Sequence, residues 1–390
     1  MQRPSLRNSL IGLMAILAAV LLPATQPADA QNAPSAAALA DYQARLAQYR
    51  EARAAYEQVA ERYWNAVSEK RKLRNAKRRE HVTIELTDYV LTQPPVYAGP
   101  PRPLSPLPPP PPPPIPPRPE IPVAADFLQA AREHWGFVPE QASDSEFKRA
   151  YAAAARAAGL TREQVVGVYA FETGGKGFYD TQAGLEPPRP GAHAISPAMG
   201  YNQLLSTNTV SLFAESGHRF LAVLERKARL LTGDARQRLE RKIPVLQRMI
   251  AYCRSLPHSW SEYDEIAKKT PKGWGIHAAI LDIDIGPLLQ AQKLLDSVLF
   301  ARVKGYLTPL SAAELELMNL TGDGNGFDMV SMPQAYRTKV PTANFFQPQG
   351  YARNPVARRT VVVAGLVAEI QDHMNRNAQT PGARELAAAF

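Results

Sequence analysis

Proline residues between Pro94 and Pro122 constrain this chain more than any other feature of its sequence. The 390-residue chain contains 36 prolines, and 17 of them lie in this interval, including an unbroken run from Pro108 to Pro114. Such a sequence adopts the polyproline II conformation and acts as a semi-rigid spacer. At ~3.1 Å per residue, the interval spans roughly 90 Å. We therefore predict a linker over 93–122 that separates two parts of the chain.

The first thirty residues predict export. A positively charged start precedes an apolar stretch over 10–22, and the Ala-Asp-Ala sequence at 28–30 fits the small-x-small pattern of a cleavage site. The alternative is a membrane anchor, but about 13 apolar residues are too few to cross a hydrocarbon core of ~30 Å comfortably. We therefore expect a signal peptide over 1–30, cleaved near Ala30, and a periplasmic or secreted protein.

Charge and cysteine content limit the partners and the metal chemistry. Lys and Arg outnumber Asp and Glu by 45 to 36, and a net charge of +9 suits an anionic polymer. An exported protein has no routine access to nucleic acid, so we expect a wall or membrane partner and no nucleic acid. The single cysteine, Cys253, excludes an internal disulfide and a cysteine-clustered zinc site. We expect no metal and no cofactor.

Residues 35–80 predict one long helix, which with a short extended segment over 81–91 makes up a region over 31–92. Tyrosines recur every seven residues, a heptad stripe that predicts burial of one face. Its partner is either another copy or a second helix of the same chain, so 36–80 is a candidate for self-association or for an envelope partner. The basic end, 70–79, is interpreted as a solvated helix terminus, with an anionic lipid or wall-polymer patch as the alternative. The tyrosines of the stripe are Tyr42, Tyr49, Tyr56 and Tyr63.

The sequence after the linker predicts a mainly α domain over 123–377, followed by a C-terminal tail over 378–390. Helical spacing and capping signals recur throughout, and β-branched runs are scarce. Helices are predicted over 126–134, from 143 or 144, from 161, and over 220–231, 235–256, 277–299, 311–317 and 359–375.

Glu172 is the first residue that predicts chemistry. Thr161 and Gln164 form a capping box at the start of its helix, and Gly174 with Gly175 ends the helix directly after it. Glu172 closes an apolar face and lies at the negative end of the helix dipole, so its pKa should be raised. A carboxylic acid that stays protonated near neutrality suits cleavage of a glycosidic bond.

A second segment strengthens this interpretation. Ser196, Ala198, Gly200 and Gln203 lead into the next apolar helix. Together with Glu172, they resemble the lytic transglycosylase signature, in which a catalytic Glu is followed by a Ser, Ala, Gly and Gln motif. The resemblance implies a lysozyme-like helical fold and cleavage of peptidoglycan glycan strands.

The chain departs from the family pattern in three places. Thr173 stands where the family has Ser, and 173–195 is more than twice the usual length. A third family motif has only a loose echo over 318–322, with Asn319 but without the expected Tyr.

The resemblance also implies roles for individual residues. Glu172 would protonate the leaving glycosidic oxygen and then, as a base, assist the muramic C6 hydroxyl, giving a 1,6-anhydro end without a second carboxylate. Aromatic side chains would stack on sugar faces, and amides would bind N-acetyl or hydroxyl groups. The substrate-binding candidates are Ser196, Ala198, Gly200, Tyr201, Asn202, Gln203, Phe178, Tyr179 and Asn319.

Two other functions remain open. A hydrolytic muramidase of the same fold would need a second carboxylate or a positioned water across the cleft, with Asp180, Glu186 or Asp323 as candidates. A non-catalytic peptidoglycan-binding or envelope scaffold would use the domain only to bind glycan.

Two further motifs are interpreted as structural. The sequence over 322–326 predicts a tight glycine-rich turn, since it lacks the alternating acids of a calcium loop. Asp282 and Asp284 are expected to cap a helix or to pair with basic residues.

Overall fold

The computed structural model describes residues 34–107, 120–185 and 192–390. Helices account for 69% of the structure, which confirms the prediction of a mainly α chain. The predicted signal peptide, the unbroken proline run and Glu186 lie outside the described residues. The helices are α1 Ala36–Arg79, α2 Ala124–Trp135, α3 Asp144–Ala157, α4 Arg162–Glu172, α5 Ser206–Leu230, α6 Gly233–Ser255, α7 Trp260–Lys269, α8 Pro271–His277, α9 Gly286–Val303, α10 Ala312–Thr321, α11 Asp323–Ser331, α12 Gln334–Arg337, α13 Pro348–Arg353, α14 Pro355–Thr360, α15 Val363–Asn377 and α16 Pro381–Ala388.

The chain divides into two compact units, and helix α1 contributes to both. Among the described residues, the first comprises 34–57 and 97–107, and the second comprises 58–96, 120–185 and 192–390. In the first unit, the rings of Tyr49 and Tyr56 contact Tyr97 edge-on, with centroids 6.1 and 5.5 Å apart. The Arg53 guanidinium lies 5.3 Å from the Tyr97 ring centroid. Part of the tyrosine stripe therefore packs on an extended segment of the same chain, not on a helix.

In the second unit, the basic end of α1 is anchored in the protein. The Arg74 side chain is fully buried, and its Nε lies 3.0 Å from the Asp328 carboxylate. Arg71 donates hydrogen bonds to the backbone carbonyls of Asn344 and Phe346. The interpretation of 70–79 as a solvated terminus is therefore wrong for these arginines, because buried backbone and carboxylate acceptors hold their charges.

The segment after α1 forms no strand. Residues 82–85 have no regular secondary structure and no β-bridge partner, and a 3₁₀ turn follows at Leu86–Asp88. The segment predicted to be extended is therefore not part of a sheet and packs through side chains. Asp88 pairs with Lys77 at 2.5 Å, and the Tyr89 hydroxyl donates to Asp328 at 3.0 Å.

The helices after the linker enclose two hydrophobic cores. The first core is built mainly from α3, α4, α10, α11, α15 and α16, with buried residues such as Tyr169, Leu317 and Leu386. The second is built mainly from α2 and α5 to α8, with buried residues such as Phe213 and Met249. The predicted tail over 378–390 is not a free tail, because its helix α16 buries Ala383 and Leu386 in the first core.

Two local predictions failed. The helix predicted over 277–299 is interrupted by a 3₁₀ turn at Ala278–Leu281, because the buried Asp282 carboxylate accepts hydrogen bonds from the backbone N–H groups of Asp284 and Ile285. The predicted glycine-rich turn is instead the start of α11, with a break only at Gly322.

The pairing predicted for two aspartates is confirmed. The Lys242 ammonium lies 2.8 Å from Asp282 and also contacts Asp284.

Across the described ranges, no helix combines the length and apolar character needed to cross a bilayer.

Candidate active site

Helix α4 carries Glu172 as its last residue. Thr161 accepts a hydrogen bond from the Gln164 backbone N–H, and the Gln164 side chain accepts one from the Thr161 N–H, so the predicted capping box is present. The helix is buried over most of its length, from residue 164 to residue 170. A rigid, enclosed helix therefore holds Glu172 at its carboxyl end.

The turn after Glu172 is fixed by the C-terminal part of the chain. Gly174 and Gly175 both have positive φ, 62° and 68°, which ends the helix as predicted. Asn377 donates a hydrogen bond to the Ala170 carbonyl at 3.0 Å. The Thr380 hydroxyl donates to the Gly175 carbonyl at 2.5 Å. These bonds satisfy one carbonyl in the last turn of α4 and one in the turn that follows, and they fix where the Glu172 side chain emerges.

The Glu172 carboxyl faces two residues of α10. Asn319 Nδ2 donates to Glu172 Oε1 at 2.8 Å. The Glu316 carboxyl is close enough to the Glu172 carboxyl for each to shift the pKa of the other. We name Glu172 and Glu316 the carboxyl pair. Asn319, predicted as a substrate-binding residue, thus directly positions the predicted acid.

Burial dominates the electrostatics of the carboxyl pair. It raises the pKa of Glu172 to about 7, although hydrogen bonds with Glu316 and Asn319 and the charge of Lys293 act in the opposite direction. Burial, followed by the neighbouring Glu172 charge, raises the pKa of Glu316 well above its usual range. The raised pKa expected for Glu172 is therefore confirmed.

The sequence interpretation did not identify Glu316. Its contact with Glu172 joins positions far apart in the chain, which no spacing rule detects. One signal was present, since Glu316 interrupts the apolar run Leu315-Glu316-Leu317-Met318 inside a helix. A charged residue in such a run is almost never fully buried without a partner.

The second motif forms a compact turn between the two cores. Met199 pairs with Gln182 on one side and Leu204 on the other through isolated β-bridges. Gly200 has φ 81°, and a Cβ there would collide with the Gln290 side-chain amide. Gln203, which also has positive φ, donates to the carbonyls of Thr181 and Gly200.

The Ser196 and Ala198 positions of this motif form the entry to the turn. The Ser196 hydroxyl accepts a hydrogen bond from the Ala198 N–H at 3.1 Å. Ala198 is buried, with 7% of its surface exposed, whereas Ser196 is half-buried. Neither side chain contacts Glu172 through a hydrogen bond among the described residues.

Tyr201 and Asn202, two of the predicted sugar-binding residues, use their polar groups in hydrogen bonds inside the protein. The Tyr201 hydroxyl donates to the Asp144 carboxylate at 2.7 Å, and its ring contacts Tyr169 edge-on. The Asn202 amide donates to the Gln290 carbonyl and accepts from the Tyr151 hydroxyl. The ring contact between Tyr169 and Tyr201 brings the helix of Glu172 next to the second motif. Both side chains are buried, so this contact is core packing.

The aromatic residues after Glu172 differ in exposure. Tyr179 is half-buried and stacks on Phe147 with centroids 4.7 Å apart. Phe178 is 58% exposed and offers an apolar face to solvent. Of the predicted aromatic contacts, Phe178 is thus the one whose ring is mostly free.

Comparison with protein-family models, with curated proteins and with solved structures found no significant match to this chain.

The described residues contain no group of three or more His, Cys, Asp or Glu side chains arranged to hold a metal ion. Of the carboxylates considered for a hydrolase, Asp180 is exposed, and Asp323 accepts a hydrogen bond from the Ser297 hydroxyl at 2.7 Å. What the site offers is one partly accessible carboxyl with a raised pKa, a neutral amide donor and a second, buried carboxyl.

Proposed function

We propose that this protein is an exported lytic transglycosylase that cleaves the glycosidic bond between N-acetylmuramic acid and N-acetylglucosamine in peptidoglycan. The observation that carries the proposal is the Glu172 carboxyl. It lies at the end of a buried helix, is fixed by Asn319, and has a pKa raised to about 7 by burial. A general acid works best when its pKa lies near the operating pH.

The reaction needs no other proton donor. Glu172 transfers its proton to the glycosidic oxygen as the bond from that oxygen to the anomeric carbon breaks. The resulting Glu172 carboxylate accepts the proton of the muramic C6 hydroxyl, whose oxygen then bonds to the anomeric carbon. Glu172 is protonated again, the product carries a 1,6-anhydro ring, and no water is consumed.

The position of Glu316 supports a single acid over a two-carboxylate hydrolase. Retaining glycosidases hold their carboxyls about 5–5.5 Å apart and inverting enzymes about 6.5–9.5 Å apart, to leave room for the sugar or for water. Glu316 is fully buried beside Glu172, so it has no exposed surface with which to reach a sugar carbon or a water molecule. We therefore assign Glu316 neither the role of nucleophile nor that of water-activating base.

For the substrate side, the proposal assigns a sugar-stacking role to Phe178, because its ring is mostly exposed. Tyr201 and Asn202 receive no substrate role, because their polar groups are used inside the domain. Export through cleavage near Ala30 and a peptidoglycan partner remain part of the proposal, consistent with the basic charge of the chain.

The test is digestion of purified sacculi by the wild type and by Glu172→Gln, with mass analysis of the soluble products. Glu163→Gln is the matched control, because it changes an exposed carboxyl on the same helix. We expect anhydro-muropeptides from the wild type and from the control, and none from Glu172→Gln. Reducing-end products would identify a hydrolase. If no variant releases products yet all pellet with sacculi, the protein is a wall-binding scaffold.

A further inference from the structure

Glu316 is a buried carboxyl whose oxygens accept no hydrogen bond from the described residues. None of its surface is exposed. Neither of its two oxygens accepts a hydrogen bond from any donor among the described residues, although Asn319 donates to the adjacent Glu172. An ionised carboxylate in such a place would have lost its hydration without a hydrogen bond to compensate for that loss.

This environment selects the protonated form of Glu316. A protonated carboxyl has one O–H group to donate, and the carboxyl that interacts with it is that of Glu172 on the packed helix α4. Two carboxyls in contact cannot both ionise, so the pair keeps at least one proton over a wide pH range. The proton stays on the more deeply buried member, which is Glu316.

We propose, on the basis of the function proposed above, that Glu316 is a positioning residue that donates a hydrogen bond to the carboxylate formed when Glu172 protonates the glycosidic oxygen. Its own proton is not transferred. It stabilises the Glu172 carboxylate while the sugar is cleaved and orients the free Glu172 oxygen toward the C6 hydroxyl. Pre-positioned donors of this kind act most strongly where charge develops during the reaction.

Other groups facing the carboxyl pair have weaker effects. Asn319 comes from the same helix as Glu316, and the Lys293 ammonium comes from α9; both favour ionisation of the two carboxyls. Asn319 is already engaged with Glu172 Oε1, and Lys293 acts through its charge and not through a hydrogen bond to Glu316. Neither therefore replaces the O–H of Glu316 as a donor.

Two substitutions of Glu316 separate the effect of its hydrogen-bond donor from the effect of the volume of its side chain. Glu316→Gln keeps an N–H donor of similar shape, whereas Glu316→Leu fills the cavity without any donor. A hydrogen bond to a charged group is worth roughly a 10- to 100-fold change in a rate or an equilibrium. We expect Glu316→Gln to retain most of the wild-type kcat on soluble glycan fragments and Glu316→Leu to lose about 10- to 100-fold.

The pH profile provides a readout that packing alone would not move. Without the donor, the Glu172 carboxylate is less stable, so its pKa rises. The high-pH limb of activity should therefore move to higher pH in Glu316→Leu and stay near the wild-type position in Glu316→Gln. Glu163→Gln should match the wild type throughout.

Carbon-13 NMR titration of the glutamate carboxyls tests the pair without relying on turnover. In the wild type, a Glu316 signal should remain that of a protonated acid well above the usual carboxyl range, and the Glu172 signal should titrate at higher pH in Glu316→Leu than in Glu316→Gln. The role of Glu316 would be overturned if Glu316→Leu and Glu316→Gln lost activity at the same high pH and if Glu172 titrated at the same pH in both variants. If wild-type protein cleaves no glycan but the NMR pattern is as expected, the proposed function fails while the shared proton stands.

Discussion

Replacing Arg74 with methionine should weaken the packing of the C-terminal part of α1 inside the second unit. The side chain is fully buried and is bound by the Asp328 carboxylate at 3.0 Å and the Asp88 carbonyl at 3.0 Å. It also lies over the Tyr89 ring at 4.4 Å. Methionine keeps most of the aliphatic volume but removes the charge and every donor.

The magnitude follows from what Asp328 retains. Breaking one side of a buried ion pair costs about 3–5 kcal/mol. Asp328 keeps Arg78 at 2.8 Å and the Tyr89 hydroxyl at 3.0 Å, so we expect the lower end of that range, about 3 kcal/mol. Since domains of this kind are stable by about 5–15 kcal/mol, the loss should be readily measured.

Urea denaturation followed by circular dichroism provides the assay, with Arg45→Met as the matched control. Arg45 pairs with Asp41 on the same helix, but their side chains are 67% and 60% exposed, so this loss should be below about 1 kcal/mol. In a double-mutant cycle, Arg74→Met and Asp328→Asn should be non-additive by about 0.5–3 kcal/mol. A cost for Arg74→Met no larger than that of the control would refute the reasoning that a buried arginine anchors this helix.

Three further predictions concern the site. Gly200→Ala should lower the free energy of unfolding by about 1–3 kcal/mol, because it combines a positive φ with a collision against Gln290; an unchanged urea midpoint would contradict this. Phe178→Ala should raise KM for glycan fragments with little change in melting temperature, whereas an unchanged KM would remove Phe178 from the substrate path. A raised carboxyl pKa means that the folded state binds more protons than the unfolded state, so this contribution to stability is present below about pH 4 and is lost as pH rises toward the folded pKa. The stability of Glu316→Gln relative to the wild type should therefore increase with pH from about pH 4 upward, and a constant difference in urea midpoints would argue against a buried protonated Glu316.

Local signals in the sequence were sufficient for the start and end of α4. The capping box at Thr161 and the glycines after Glu172 act over a few residues, and both are found where predicted. The mainly helical class also followed from spacing. The lysozyme-like fold remains a prediction, since it rests only on the resemblance to the lytic transglycosylase signature.

The contacts that the sequence did not reveal are those between distant segments. Glu316 meets Glu172 because α4 and α10 pack together, and the basic end of α1 reaches Asp328 across more than half of the chain. In both cases a charged residue is buried by a partner that sequence spacing cannot identify. The same limit explains Tyr201, whose place in a recognised motif suggested sugar stacking, although its hydroxyl binds Asp144.

The packing of α16 and the end of α15 on the turn after Glu172 has a consequence for the order of biosynthesis. The Ala170 and Gly175 carbonyls are bound by Asn377 and Thr380, which are made about two hundred residues after Glu172 itself. During synthesis, a chain that stops short of residue 380 has Glu172 but lacks the groups that fix the turn after it. The surroundings of Glu172 are therefore complete only after the late helices have been made and have folded back, and under the proposed function glycan cleavage begins only at that point.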